Sequence, residues 1–261
     1  MPIANVDGQP IHYRDSGEGG PTVLFAHGFL MDHTMFDPQV EALVPDYRCV
    51  RFDARGFGET PAPGPFTYWD LADDAVGLLD RLGVDDAVLF GMSQGGYLAL
   101  RAALRHPRRV RALVLMDTRA GPDDEETREG YRQAFDAWMT HGPQEEILEQ
   151  MADQILGDHP ELRRRWTRRW REMPEGELRH PVECILGRDD VSGRLGEIDV
   201  PALIVHGEED VAIPVREAEK LDEALRGSVG IVRVPGARHA PGLTHPEAVN
   251  PPVRAFLDTY A

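Results

Sequence analysis

Short apolar runs alternate along this chain with longer segments whose apolar residues recur every three or four positions. Thr22–Ala26, Tyr47–Phe52, Ala87–Phe90, Val110–Met116, Ala202–Val205 and Val229–Val234 are the short runs, each the length of a buried strand. Ile11–Arg14 reads as an earlier strand that leads into the polar loop Asp15–Gly20. Met35–Leu43 and Val215–Leu225 read as helices. Tyr68–Leu82 sets Leu71, Ala75, Leu78, Leu79 and Leu82 on one side, as an amphipathic helix requires. Pro246–Tyr260 reads as a closing helix that Pro251-Pro252 should kink or interrupt. Strands alternating with helices predict the α/β class, a mostly parallel sheet with helices on both faces.

Between Arg119 and about Leu195 the rhythm changes. Strand-like runs disappear, and helix-like segments follow one another, separated by Gly142-Pro143, Gly157–Pro160 and Pro174–Gly176. The expected organisation is a core of residues 1–119 and 196–261, with a helical lid or cap of residues 120–195 inserted after the strand ending near Met116. A helical insertion at such a place can cover a site, exclude water and shape a substrate pocket. The plainer alternative is an insertion with no role in the site.

Composition narrows this picture. At 261 residues the chain suits one α/β domain with a moderate insertion, and 41% apolar residues suffice for a large core. A formal charge of −17 argues against nucleic acid or an anionic membrane as partner, because either needs a basic face. Lys220 is the only lysine, and the arginine bias carries no mechanism. Cys49 and Cys184 are too few for a disulfide framework, so a buried free thiol is expected at Cys49. Residues 1–15 show no apolar core or basic leader, and no apolar run has the length of a membrane span. A cytoplasmic protein is the expectation.

The chemistry starts at Gly91-Met92-Ser93-Gln94-Gly95. A strand that turns sharply into a helix around Gly-x-Ser-x-Gly forms a nucleophile elbow, which lifts the serine oxygen clear of the sheet. The following helix aims free N–H groups at the point where negative charge develops. Gly96 adds a second small residue where helix and strand approach. Ser93 is therefore the candidate nucleophile, although Gly-x-Ser-x-Gly also arises by chance in a chain with 26 glycines.

A serine hydroxyl needs a base to take its proton, and histidine suits the task near neutrality. Of ten histidines, His239 follows the strand Val229–Val234 in the loop Pro235–Pro241, where open α/β sheets place their sites. His245 is the runner-up. The imidazole in turn needs a carboxylate to fix its tautomer. Asp210, in Gly207-Glu208-Glu209-Asp210, is best placed, with Glu208 and Glu209 read as solvated turn residues. Asp117, ending the strand after the elbow helix, is an alternative acid. The order Ser93, Asp210, His239 is that of one hydrolase fold. Two backbone donors are needed for an oxyanion, and the N–H groups of Gln94 and Phe29 are the candidates. His27 is read as a loop hydrogen-bonder.

With these residues in place, the chain resembles the α/β-hydrolase superfamily over essentially its whole length. The matching blocks are His27-Gly28-Phe29, Asp53-Ala54-Arg55-Gly56-Phe57-Gly58, Gly91–Gly96, Gly207–Asp210 and the loop bearing His239. The resemblance implies a mostly parallel sheet of the eight-stranded type, and it makes the Asp53–Arg55 turn structural. Leu115–Ala120 and Gly187-Arg188-Asp189-Asp190 look like the 3-oxoadipate enol-lactonase and esterase-like branch. Arg238 stands where the family often has a small residue, and Thr244 where an acid is frequent. Arg238 could narrow or charge the pocket mouth.

Arg163–Arg171 interleaves arginine with Trp166 and Trp170. Nucleic-acid binding is one reading of such a run. The bland reading is preferred: two tryptophans four apart share a helix face and pack on the lid or line the pocket. The arginines then pair with lid acids such as Glu145, Glu146 and Glu149, or one of them binds a substrate carboxylate. Asp123–Glu126 reads as a charge run opening a helix, and no ligand spacing for a metal is seen. The expected protein is a cofactor-free, metal-free serine esterase or lactonase acting on a small molecule. Carbon–carbon bond hydrolysis, peracid formation and low-turnover ligand binding are the alternatives on the same residues.

Overall fold

A computed structural model describes residues 1–17, 19–173 and 178–261. Its strands are β1 (Ile3–Val6), β2 (Gln9–Ser16), β3 (Thr22–Ala26), β4 (Arg48–Phe52), β5 (Ala87–Met92), β6 (Val110–Met116), β7 (Ala202–Gly207) and β8 (Ser228–Val234). The helices are α1 (Asp37–Leu43), α2 (Tyr68–Arg81), α3 (Gln94–Arg105), α4 (Glu125–His141), α5 (Glu145–Leu156), α6 (Pro160–Arg171), α7 (Arg179–Leu186), α8 (Arg216–Ala224), α9 (Pro241–Thr244) and α10 (Pro246–Tyr260). The strands form one sheet in the order β1-β2-β4-β3-β5-β6-β7-β8. β1, β2 and β4 pair antiparallel, and the sheet from β4 to β8 is parallel. The expected class holds.

β1 is the strand that the apolar pattern misses. It is a four-residue edge strand with alternating burial, joined to β2 through Asp7-Gly8 at φ +48° and +93°. Asp-Gly is the dipeptide that such a two-residue hairpin favours. β2 also extends through Asp15 and Ser16, which were expected in the loop; Glu18 of that loop lies outside the described residues.

Chain order reverses direction across the sheet at β3. β4 lies on one side of β3 and β5 on the other, so the loops after β3 and β5 leave the sheet side by side. Such a switch point opens a crevice at the carboxyl ends of the strands. Every residue of β3 and β5 is buried, which anchors both loops. α2 packs against α3, and α1 against α10. Thr67 and Asp70 close a reciprocal capping box at the start of α2.

Between β6 and β7 the described residues hold α4 to α7 and no strand, as the change of rhythm implied. Asp124 caps α4, with Glu125 and Glu126 in its first turn, so the acidic run opens a helix. The break expected at Pro174–Gly176 lies outside the described residues.

The expected interruption at Pro251-Pro252 does not occur, and α10 runs through both prolines. They deprive the Glu247 and Ala248 carbonyls of their helix partners, but both residues are exposed, so water can take the donors' place. Val249, Val253, Phe256 and Leu257 hold the other face in the core.

At the elbow, a Cβ added to Gly95 would fall on the backbone carbonyl of Ala26. A backbone atom cannot swing aside as a side chain can, so Gly95→Ala must push α3 away from β3. It should destabilise the fold by more than about 2 kcal/mol, read as a lower urea midpoint at unchanged slope.

Candidate active site

Ser93 sits between β5 and α3 with φ +51° and ψ −114°, outside the regions that L-residues favour. Its N–H donates to the Met116 carbonyl at 2.9 Å, which ties the turn to β6. Its carbonyl accepts from the Gly96 and Tyr97 amides and from Thr118 Oγ1 at 2.8 Å. Gly96 faces that same threonine side chain, and a Cβ there would overlap it. The strained turn is thus held from three sides. The N–H groups of Phe29 and Gln94 donate to no acceptor among the described residues.

The loop carrying Phe29 is braced from two directions. His27 is buried, donates from Nδ1 to the Gly28 carbonyl at 2.8 Å, and accepts the Ala54 N–H at Nε2 at 2.9 Å. Only a neutral imidazole can do both. Burial holds the His27 pKa below its ordinary 6.5 despite the nearby Asp53 charge. Asp53 accepts from the His33 amide and ring and from the Glu59 amide, while Arg55 forks onto Asp74 at 2.6 and 2.8 Å. That turn is structural, as the family resemblance implied.

His239 and Asp210 come together. His239 Nδ1 lies 2.7 Å from Asp210 Oδ2, while Asp210 Oδ1 accepts the Ala212 and Ile213 amides at 2.8 and 3.0 Å. Burial works against the Asp210 charge, but the facing His239 and these hydrogen bonds prevail and hold its pKa below the usual range. His239 opens on the same cavity as Ser93. No hydrogen bond joins them among the described residues; such bonds are often long before substrate arrives. Asp117, the alternative acid, is buried beside Asp210 and accepts the Gly207 amide at 2.9 Å. Asp117, Asp210 and His239 offer atoms within 4.8 Å of one another, close enough for a cation. Yet His239 Nδ1 and both Asp210 oxygens are already engaged with each other and with backbone amides. His245 bonds Thr244 Oγ1 and does not line the cavity.

The cavity has a volume of about 600 Å³. Phe135 and Trp138 of α4 and Met151 and Ile155 of α5 form an apolar wall facing Phe29 and Ser93. Tyr97 and Tyr131 add phenols near the nucleophile, and burial pushes the Tyr131 pKa up to about 12. Arg119 is held there by Asp123 at 2.5 Å.

Three expected substrate contacts are displaced. Trp166 and Trp170 are buried but absent from the cavity wall, and Trp170 Nε1 donates to the Leu30 carbonyl at 2.8 Å. Arg238 turns away to Asp153 at 2.5 Å. The α6 arginines do not line the cavity either: Arg163 pairs with Glu149, Arg171 with Glu145, Arg165 with Asp37 and Arg169 with Asp32. α6 therefore clamps the loop after β3, while α4 and α5 supply most of the insertion's share of the cavity wall. Helical periodicity marks an apolar face without saying what covers it: of the two roles expected for Trp166 and Trp170, packing on the lid or lining the pocket, their burial off the cavity wall fits packing. Trp138 of α4, which the sequence reading does not single out, is the tryptophan that lines the cavity.

The buried imidazoles have a consequence for stability. Burial also lowers the pKa of His206, whose Nε2 donates to the Ile213 carbonyl at 2.7 Å. Below pH 6.5, the ordinary histidine value, the unfolded chain gains protons that folded His27 and His206 refuse. Stability is therefore full above that pH and falls as pH drops, by up to about 1.4 kcal/mol per pH unit for each histidine. Denaturant melts of wild type and His27→Gln from about pH 7.5 to 5 check this, and the variant should show the shallower fall.

Comparison with known proteins agrees with this fold. The family model for the alpha/beta hydrolase fold matches residues 21–246. A non-heme haloperoxidase of Rhodococcus erythropolis is 28% identical, over 99% of this chain and 100% of its own. An esterase from Thermogutta terrifontis superposes with a TM-score of 0.88 at 32% identity, covering 96% of this chain and 94% of its own. An enol-lactonase from Burkholderia xenovorans LB400 gives 0.91 at 27% identity, covering 98% and 100%.

Proposed function

The chain belongs to the α/β-hydrolase fold family, and from that premise we propose that it is a serine hydrolase of carboxylic esters or lactones acting through an acyl-enzyme. The observation that carries this reading is the buried His239–Asp210 bond at 2.7 Å, opening on one cavity with a strained Ser93 at the start of α3. With Nδ1 engaged by Asp210, His239 keeps Nε2 for the reaction.

Ser93 Oγ attacks the carbonyl carbon while His239 takes its proton. The tetrahedral oxyanion is held by the Phe29 and Gln94 N–H groups, each worth roughly 10²–10³ in rate. Collapse breaks the carbon–oxygen bond, and His239 returns the proton to the departing alcohol. Water then attacks the acyl-enzyme with His239 as base, releasing the acid and restoring Ser93. Residues 120–195 act as the lid, α4 and α5 supplying an apolar wall that suits an apolar acyl or alcohol group.

A fluorophosphonate should label wild type on Ser93, located by peptide mapping. Ser93→Ala should take no label and lose ester turnover by roughly 10⁴–10⁶-fold. An unlabelled Ser93 in folded wild type would favour a ligand-binding member of the fold and overturn this reading.

Similarity to the haloperoxidase favours a second activity at the same site. Hydrogen peroxide attacking the acyl-enzyme in place of water gives a peracid and free Ser93, and a peracid oxidises halide. Acetate and peroxide should then yield peracetic acid with wild type and none with Ser93→Ala; equal yields dismiss it.

A further inference from the structure

Asp117 has no task in the reaction above, yet it is among the most constrained residues of the site. It is fully buried at the end of β6 with φ +45°, a conformation that Asp and Asn tolerate better than most residues. Its N–H donates to the Val205 carbonyl at 3.0 Å and its Oδ1 accepts the Gly207 amide, so backbone and side chain both bridge to β7. Oδ2 is buried and meets no donor among the described residues.

What faces that carboxyl is another carboxyl. Asp117, Asp210 and His239 lie within 4.8 Å of one another, and His206 Nε2 is 3.9 Å from Asp117 Oδ1 and 3.6 Å from Asp210 Oδ2. Among the described residues the titratable groups facing Asp117 are Asp210 and His206 from the end of β7 and its loop, and His239 from the loop after β8. His206 already donates from Nε2 to Ile213, and its Nδ1 is buried without a partner among the described residues, as in a neutral ring. Two ionised carboxylates buried this close repel, and one retains its proton. Asp210 has a facing imidazole and two amides to stabilise its charge. Asp117 has one amide.

We propose that Asp117 is a positioning residue, a protonated carboxylic acid whose O–H donates to Asp210 and fixes the carboxylate that orients His239. The proton gives the orphaned Oδ2 a partner and adds a further hydrogen bond to Asp210. Burial and the Asp210 charge both push the Asp117 pKa well above the usual carboxylate range, in keeping with this assignment. Asp117 then tethers the acid to β6, the same strand whose Met116 carbonyl holds the Ser93 amide.

The assignment rests on the Ser93–His239–Asp210 reading, and the experiment separates the two. The rate of fluorophosphonate labelling of Ser93 is measured against pH for wild type, Asp117→Asn and Asp117→Ala, with thermal melts of each. Asparagine keeps the acceptor for Gly207, the donor for Asp210 and the neutral charge. Asp117→Asn should label within about twofold of wild type with an unmoved acid limb, and folded Asp117→Ala should label about tenfold more slowly. An acid limb displaced downward by about one pH unit in Asp117→Asn shows that a negative charge was removed and overturns the proposal. Wild-type labelling by folded Asp117→Ala overturns it too, since a purely structural residue lowers only the melting temperature. Should Asp117→Ala fail to fold, the Asp117→Asn limb decides. An unlabelled wild type overturns the triad reading itself, and this assignment with it.

Discussion

Ser93 occupies a backbone conformation that costs about 1–3 kcal/mol, and the surrounding architecture is arranged so that no relaxed alternative fits. β3 and β5 are buried throughout, which fixes where the chain enters the turn. Gly95 lies against the Ala26 carbonyl and Gly96 against Thr118, so α3 cannot back away without losing contact with β3 and β6. The Ser93 N–H and carbonyl are both engaged from the β6 side. Relaxing φ would break those bonds and shift a packed helix. The sheet therefore stores the strain, and the consequence is a serine oxygen raised above the strand ends.

The same economy of position explains how remote segments meet. The loops after β3, β5, β7 and β8 leave the sheet at one edge because those strands run parallel and β3 is the point where chain order reverses. Phe29, Ser93, Asp210 and His239 are far apart in the chain but come from those four loops. α6 strengthens one of them: Trp170, Arg169 and Arg165 bind Leu30, Asp32 and Asp37, so the helical insertion braces the loop that carries Phe29. Through α4 and α5 it also supplies the apolar cavity wall.

Legibility in the sequence follows from how local each signal is. β6 is readable to the residue because a run of apolar side chains buried on both faces needs no partner to be recognised. Ser93 is readable because its strain demands small neighbours that stand beside it in the chain. Asp210 and His239 are readable by their place after strands. β1 was missed because an edge strand of four residues buries too little to leave a pattern, although Asp7-Gly8 marked its turn. Trp166 and Trp170 lie off the cavity wall because helical periodicity gives a face, and the tertiary partner of that face is set by loops whose conformation no periodicity encodes; Arg238, in the loop after β8, is drawn off by Asp153 of α5, a partner remote in the chain.

Charge shows the limit of sequence reasoning most sharply. Asp117 and Asp210 look alike in the chain, each an acid just past a buried strand. Their environments separate them. Asp210 gathers an imidazole and two amides, so its ionised form survives burial. Asp117 gathers one amide and the repulsion of its neighbour, so the proton settles there. Neither state belongs to the residue alone, because swapping their hydrogen-bond partners would swap their charges. A site with two candidate acids thus acquires one acid and one neutral donor from geometry alone.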